Sequence, residues 1–388
     1  MKKSIILILI MFLLSISSVI ALGEYYNPSY ETYTINGLWN TDLNTGLVSE
    51  NYIATTNTPS WHTPLVGDLD NNGNNEIVII DGSNVEIYRS KTLTAIAGRN
   101  AEDNIQHAIL YDIDGDNTLE VLTVGGDKFS IFDYNTTGLY LTSNYTIPNT
   151  TGATRYQFMI GCKDTNDCLI INARDKDGIP STETIIVSRA TSTGIYNETT
   201  IKTSINNGDY TLPKIREVSN ADMTLDGDSE FVFSAYDTGN IDVCYWYIST
   251  SPTTGITEDL EKCVSSNQLV ADTGEDDFTS PLIIETDPTS SGYEIVMAFQ
   301  DDSQNEFAMY LYSSAGVELQ DYPELTYTQG TIISNPVRAQ VFTDTTGNKD
   351  FCVLGYWSVN DELKLLCGSP THSELLAGEE FDYDNLPC

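Results

Sequence analysis

Positive charge is what this chain has least of. Lys and Arg number 18 against 56 Asp and Glu, with three histidines, for a net charge of −38. A protein that neutralises phosphates needs a basic face, so nucleic-acid binding is excluded and anionic membrane surfaces are disfavoured. Lys and Ala are scarce while Tyr, Thr, Asn, Ser and Gly are plentiful, a balance that favours strands and turns over helices. No P-loop, H-E-x-x-H or Ser-His-Asp arrangement is present. His62 and His107 each precede the opening strand of a repeat unit and His372 stands alone, so none is read as catalytic. The expectation is a protein that is not an enzyme.

Long apolar runs are also missing, except at the start. Lys2-Lys3 precede an apolar stretch from Ile5 to Leu14, and Ala21-Leu22-Gly23 offers small residues for cleavage. Residues 1–23 read as a signal peptide, which predicts an extracellular or cell-surface location. The alternative is an uncleaved anchor, for which the apolar core is short. Removal of Lys2 and Lys3 leaves 16 basic residues against 56 acidic, a net charge of −40. Residues 24–388 show no low-complexity linker and read as one domain of repeats.

Acid is abundant, and it is patterned. Asp68-Leu-Asp70-Asn-Asn72-Gly-Asn74-Asn-Glu76 is followed at once by Ile77-Val-Ile-Ile80. The same spacing returns in Asp112-Ile-Asp114-Gly-Asp116-Asn-Thr118-Leu-Glu120 and in Asp222-Met-Thr224-Leu-Asp226-Gly-Asp228-Ser-Glu230, each ahead of another apolar run. Oxygen side chains at alternate positions of a tight loop converge on one point, where a hard cation takes six to eight oxygens. Side-chain charge is −3 in the first loop and −4 in each of the others. An empty loop holds these carboxylates together at a Coulomb cost that a cation removes.

Each loop joins an apolar lead-in (Pro64–Gly67, Ala108–Tyr111, Ile215–Val218) to a buried strand, and two further strands follow. Looser copies begin near residues 157, 281 and 336, which with 64, 107 and 213 gives six units. A period of this kind predicts radial four-stranded sheets, an all-β propeller. The tail Leu375–Asn385 looks like the opening of another unit, and residues 24–60 look like strands. Together they predict a seventh blade; six blades is the alternative.

The pattern D-x-D-x-[DN]-G-x-x-[DE] before an apolar strand resembles the FG-GAP/VCBS repeat family, to which the heads of integrin α-subunits belong. The resemblance implies structural Ca2+ in up to three hairpins. Carried over by position, the ligands are the side chains of Asp68, Asp70, Asn72 and Glu76 with the carbonyl of Asn74. In the second loop they are Asp112, Asp114, Asp116 and Glu120 with the carbonyl of Thr118. In the third they are Asp222, Thr224, Asp226 and Glu230 with the carbonyl of Asp228. Glu ends each loop where the family usually has Asp, Asn117 stands where Gly is common, and Thr224 replaces an acid. The fifth and sixth units lack enough oxygens to bind a cation.

Seven cysteines in an exported chain predict disulfides. Cys162 and Cys168 bracket the loop that has lost its acids, so a covalent clip replaces the metal there. Cys244 with Cys263, and Cys352 with Cys367, are symmetric about turns, and Cys388 is left over. Asn135, Asn144, Asn149 and Asn197 begin N-x-[ST] sequons, candidates for glycosylation. Trp61, Trp246 and Trp357 lie near strands and read as packing residues, with a sugar platform as the alternative. The function expected is recognition of a protein or glycan partner at the cell surface. A polysaccharide lyase or hydrolase on the same scaffold, or a structural envelope component, are the alternatives.

Overall fold

The structure is a computed structural model that describes residues 40–41, 48–49, 64–90, 93–101, 104–148, 155–175, 183–205, 215, 218–237, 242–253, 255–264, 281–284, 293–301, 306–316, 318–321, 325–326, 333–343, 349–357, 362–369 and 372–382. Every regular element among them is a strand. Trp61, His62 and Asn149 lie outside the described residues, as do most of residues 1–63 with the signal segment, and Cys388.

Among the described residues, a two-stranded sheet of Asn40–Thr41 and Val48–Ser49 precedes six antiparallel sheets of four or five strands that follow one another along the chain. The first is built from Leu65–Gly67, Glu76–Asp81, Asn84–Arg89 and Ala95–Asn100. The second uses His107–Tyr111, Glu120–Gly125, Lys128–Asn135 and Gly138–Thr146, and the third Arg155–Asp164, Asp167–Asp175, Glu183–Thr191 and Gly194–Ile205. The fourth uses Ser219–Ala221, Glu230–Asp237, Asp242–Ser251 and Gly255–Val264. In the fifth, Leu282–Ile284, Glu294–Asp301 and Glu306–Ser313 are followed by Glu318–Asp321 and Leu325–Thr326, which both pair with the third strand. The sixth is Ile333–Thr343, Lys349–Trp357, Glu362–Ser369 and His372–Asp382.

The order within each sheet is the chain order, because the strands are joined by hairpins too short for a crossover. Gly82 (φ 61°), Gly126 (φ 64°) and Asn166 (φ 59°) take the left-handed conformation that two-residue hairpins need. The second strand of each sheet explains the continuous apolar runs. Glu120–Gly125 is buried at every residue and Glu76–Asp81 at all but one, so both faces of these strands are covered.

Two differences from the sequence expectation emerge. Residues 375–382 of the tail do not open a further unit: His372–Asp382 pairs with Glu362–Ser369 as the last strand of the sixth sheet, and the rest of the tail lies outside the described residues. Only Pro370 and Thr371 separate the two strands, and so short a link enforces a hairpin. The lead-in to the third acidic loop is Ser219–Ala221 rather than residues 215–218, and Ile215 makes only an isolated bridge to Ala235.

The chain forms two compact units, residues Met1–Ile105 with Asp133–Leu141, and Gln106–Phe132 with Thr142–Cys388. In the first, Ile79 and Tyr88 are buried together. In the second, successive sheets pack face to face. Leu122, Val124, Phe129 and Ile131 of the second sheet meet Phe158, Ile160 and Ile170 of the third. Leu169, Ile171 and Val187 of the third meet Phe231, Phe233 and Trp246 of the fourth. Val232, Tyr245 and Tyr247 of the fourth meet Ile295, Met297 and Tyr312 of the fifth.

Side chain to backbone hydrogen bonds stitch the same seams. Gln106 Oε1 accepts from Phe158 N at 2.8 Å, and His107 Nδ1 accepts from Ile160 N at 3.2 Å. Gln157 bonds both the N–H and the C=O of Ile215. His107 is therefore a structural residue, and Trp246, fully buried and stacked on Phe233 at 5.3 Å, is a packing residue. The side chains of Trp357 and His372 lie outside the described residues.

Candidate metal centres

All three acidic loops adopt one backbone solution. The fourth position is left-handed in each (Asn71 φ 54°, Gly115 φ 83°, Leu225 φ 63°), and so is the sixth (Gly73 φ 84°, Asn117 φ 70°, Gly227 φ 95°). Two left-handed residues within three wrap the backbone around the first carboxylate. Asp68 accepts from the N–H groups of Asn72 and Gly73 at 2.9 and 2.7 Å. Asp112 accepts from Gly115, Asp116 and Asn117, and Asp222 from Asp226 and Gly227.

The last glutamate closes each loop from below. Glu76, Glu120 and Glu230 are buried, and each takes the N–H of the loop's second residue: Leu69 at 3.0 Å, Ile113 at 2.9 Å and Met223 at 2.6 Å. That second residue is the part of the motif the sequence reading left unused. Leu69, Ile113 and Met223 are buried, and the last two belong to the cores between sheets. An apolar side chain at position 2 thus pins the loop to the hydrophobic interior. Its N–H in turn orients the glutamate, whose added methylene reaches the cluster from the start of the second strand.

The carboxylates converge. Asp68, Asp70 and Glu76 present oxygens within 4.8 Å of one another, and so do Asp112, Asp114 and Glu120. In the third loop the convergent set is Asp222, Asp226 and Glu230. Thr224 lies beside it, with Oγ1 donating to Glu230 Oε1 at 3.3 Å. The residues at position 5 also serve local turns. Asn72, Asp116 and Asp226 each accept the N–H of position 7, that is Asn74, Thr118 and Asp228. Asp116 also takes the Thr118 hydroxyl at 2.5 Å and lies outside the acidic trio of its loop, as Asp228 lies outside that of the third.

The electrostatics of the loops follow from burial and clustered acid. Burial pushes the Glu76 carboxyl above its ordinary value against the Leu69 N–H bond, and Asp70 and Asp68 push it further. Burial likewise raises Glu230, against the N–H bonds from Thr224 and Met223. Asp116 is lowered by the Thr118 hydroxyl and N–H. Asp70 Oδ1 is buried with no hydrogen-bond partner among the described residues. An orphaned carboxylate oxygen inside an acidic trio suits a hard divalent cation, so the residues present fit Ca2+.

The third sheet carries a different device at the same place. Cys162 and Cys168 are joined by a disulfide with a Cα–Cα distance of 4.0 Å. Asp167 begins the second strand, where the other sheets have Glu76, Glu120 and Glu230. It faces cations of the protein itself: Arg189 Nε at 2.8 Å and Lys163 Nζ at 3.7 Å, while Thr250 Oγ1 donates to it at 2.8 Å. Cys244 is also disulfide-bonded, and the strand register sets it opposite Cys263. Cys352 stands opposite Cys367 in the sixth sheet. Of the sequons, Asn135 and Asn197 are exposed, whereas Asn144 is half-buried within a strand with its Oδ1 inaccessible.

One solved structure fixes the architecture. The Dos1 propeller superposes with a TM-score of 0.51 over 91% of this chain and 74% of its own, at 11% identity. The fold is a β-propeller. The antiparallel sheets of four or five strands described above are of the kind that form its blades. Two other solved structures are the dihydro-heme d1 dehydrogenase NirN (TM-score 0.48, 10% identity, 88% of this chain and 61% of that one) and BBS1N (0.45, 10%, 84% and 82%). No family model matches the sequence, and no curated protein matches it.

Proposed function

We propose that this propeller is an exported recognition module, of the FG-GAP/VCBS type, whose acidic hairpins hold structural Ca2+. The observation that carries the reading is the recurrence of one built loop in three blades. Each has a carboxylate wrapped by backbone N–H groups, a buried glutamate held by the N–H of a buried apolar residue, and acidic oxygens within 4.8 Å. The cation bound there supplies charge neutralisation and fixes the hairpin. The chain's own residues hold the first and last carboxylates in place and anchor the loop to the core.

Export follows from residues 1–23, and the acidic surface suits a calcium-rich exterior rather than a polyanionic partner. The partner is a protein or a glycan. The blades supply a rigid frame, and the exposed hairpins supply the surface.

Thermal melts of the mature chain with 1,2-bis-type or EDTA chelation and with added Ca2+ test the metal. A midpoint that rises with Ca2+ supports it, and coincident midpoints refute it. An array of glycans and surface proteins tests recognition. Steady turnover of a polysaccharide would replace this reading with the enzymatic one.

A further inference from the structure

We infer that the third blade carries a binding subsite for a neutral sugar, in the place where its neighbours carry an acidic loop. The proposal rests on the recognition reading above and gives that reading a location. A cavity of about 430 Å³ opens there, with Asn166, Arg189, Ser192, Tyr196, Asn197 and Pro252 among its lining residues. Asn166 belongs to the tight, disulfide-clipped turn that replaces the nine-residue loop. Ser192, Tyr196 and Asn197 belong to the hairpin between the third and fourth strands, and Pro252 to the equivalent hairpin of the next blade.

The lining has the chemistry that recognises a sugar. Tyr196 is 46% exposed, and Thr193 Oγ1 and Tyr196 Oη lie 3.3 Å apart. The ring lies over Gly194 (φ 156°), where an added Cβ would stand 3.2 Å from Oη and press on the ring. Tyr196 and Pro252 give apolar surface for the C–H groups of a pyranose. Polar capacity remains around them. Asn166 uses its Oδ1 to accept from Ser192 N and Oγ, which leaves its amide N–H groups unengaged among the described residues. Arg189 commits Nε to Asp167 and Nη2 to the Asn166 carbonyl, which leaves Nη1. The Asn197 amide makes no hydrogen bond among the described residues.

These groups are amide and guanidinium donors with one amide acceptor, and none of the lining residues is acidic. Hydroxyl groups satisfy them well. The Arg189 charge is already met by Asp167 at 2.8 Å, and the net charge of the chain is −38, so a neutral ligand fits better than an anionic one. Asn197 also begins a sequon, and a glycan attached to it would occupy the same pocket. Attachment and ligand binding at this point are mutually exclusive.

A built-in control exists. Tyr140 sits on the matching hairpin of the second blade, in the same Thr-Gly-x-Tyr order, 44% exposed and bonded to Thr137 at 2.6 Å, but it does not line this cavity.

The test is a binding titration of the calcium-loaded mature chain, made without glycosylation, against a panel of neutral mono- and disaccharides up to about 10 mM, where weak single-site sugar affinities are read. Tyr196→Ala and Asn197→Gly are each expected to weaken binding of any hit about tenfold or more. Tyr140→Ala is expected to leave it within about twofold. Thermal midpoints with Ca2+ establish folding, and Asn197→Gly keeps the left-handed backbone at that residue (φ 52°) if Tyr196→Ala does not fold. If the wild type binds a sugar and both pocket variants bind it equally well, the subsite is overturned while the recognition reading stands. Equal loss in the Tyr140 variant overturns it too. If no neutral sugar binds at all, the subsite is again overturned, and the Ca2+ melts and the protein array judge the recognition reading separately.

Discussion

Arg189 Nε donates to Asp167 Oδ1 at 2.8 Å in the one blade among the first four that has no acidic loop. Asp167 occupies the position held elsewhere by the closing glutamate. The third blade thus places a guanidinium of its own where its neighbours carry clustered carboxylates. The disulfide Cys162–Cys168 closes the turn, and the ion pair neutralises the carboxylate that begins the next strand. The two act together: without Arg189, Asp167 would keep only Lys163 at 3.7 Å and the Thr250 hydroxyl.

Removal of Arg189 should therefore be costly in a way that added Ca2+ does not repair. Loss of one partner of a buried pair costs about 3–5 kcal/mol, and the 11% exposure of both side chains places this pair near the lower end. Arg189→Met is expected to lower stability by about 3 kcal/mol in urea unfolding, with the same decrement in Ca2+ and in chelator. A decrement that vanishes on adding Ca2+ would contradict the replacement.

The closing glutamates report on the metal. If each loop binds one ion, free Ca2+ at about ten times its dissociation constant stabilises by about 1.4 kcal/mol per site. Glu120→Gln keeps an oxygen to accept the Ile113 N–H but removes one charge from its trio. It should abolish one site in a calorimetric titration and reduce the Ca2+-induced rise in thermal midpoint by about a third. Unchanged stoichiometry would exclude Glu120 as a ligand.

Leu225 is an evident strain point. It is left-handed (φ 63°) and 47% exposed, at a position filled by Asn71 and Gly115 in the sister loops. A left-handed conformation costs a β-carbon residue about 1–2 kcal/mol. Leu225→Gly should stabilise the chain by about 1 kcal/mol less the entropy glycine adds to the unfolded state, a net gain of about 0.5 kcal/mol. Leu225→Asn should gain as well. Denaturant midpoints give the answer, and destabilisation by both variants would place Leu225 in an interaction that the exposed loop does not show.

Stability should depend on pH with opposite trends in the presence and absence of the ion. Without metal, Glu76 and Glu230 have folded-state pKa values raised above the ordinary 4.5, mainly by burial. Groups of this kind favour the folded state below the unfolded value, and that contribution is lost as pH rises through the folded value. In chelator the thermal midpoint should therefore fall as pH is raised from about 4.5 toward neutrality. With Ca2+ present the carboxylates are wanted in their charged form, so the Ca2+-induced shift in midpoint should widen over the same range. A chelated midpoint that stays flat or rises there would refute this account.

The acidic loops were legible in the sequence because their geometry is local. Nine residues contain the wrapped carboxylate, the left-handed turns and the closing glutamate, and the following apolar run marks a strand covered on both faces. Even so, position 2 carried a signal that the oxygen pattern eclipsed: Leu69, Ile113 and Met223 are apolar in all three copies, and they anchor the loops. In the third loop Asp222, Asp226 and Glu230 form the acidic trio, and the Thr224 hydroxyl donates to Glu230 beside it.

Sequence alone established an all-β chain of repeated four-stranded units, the acidic spacing of three hairpin loops, and a strong excess of negative charge. Those properties depend on spacing within a few residues and on overall charge. The placement of the tail in the sixth sheet, the pairing of Asp167 with Arg189 22 residues away and with Thr250 83 residues away, and the cavity beside Tyr196 were decided only by tertiary structure. Each brings together groups from separate strands or separate blades, and no periodicity along the chain encodes which of them will face one another.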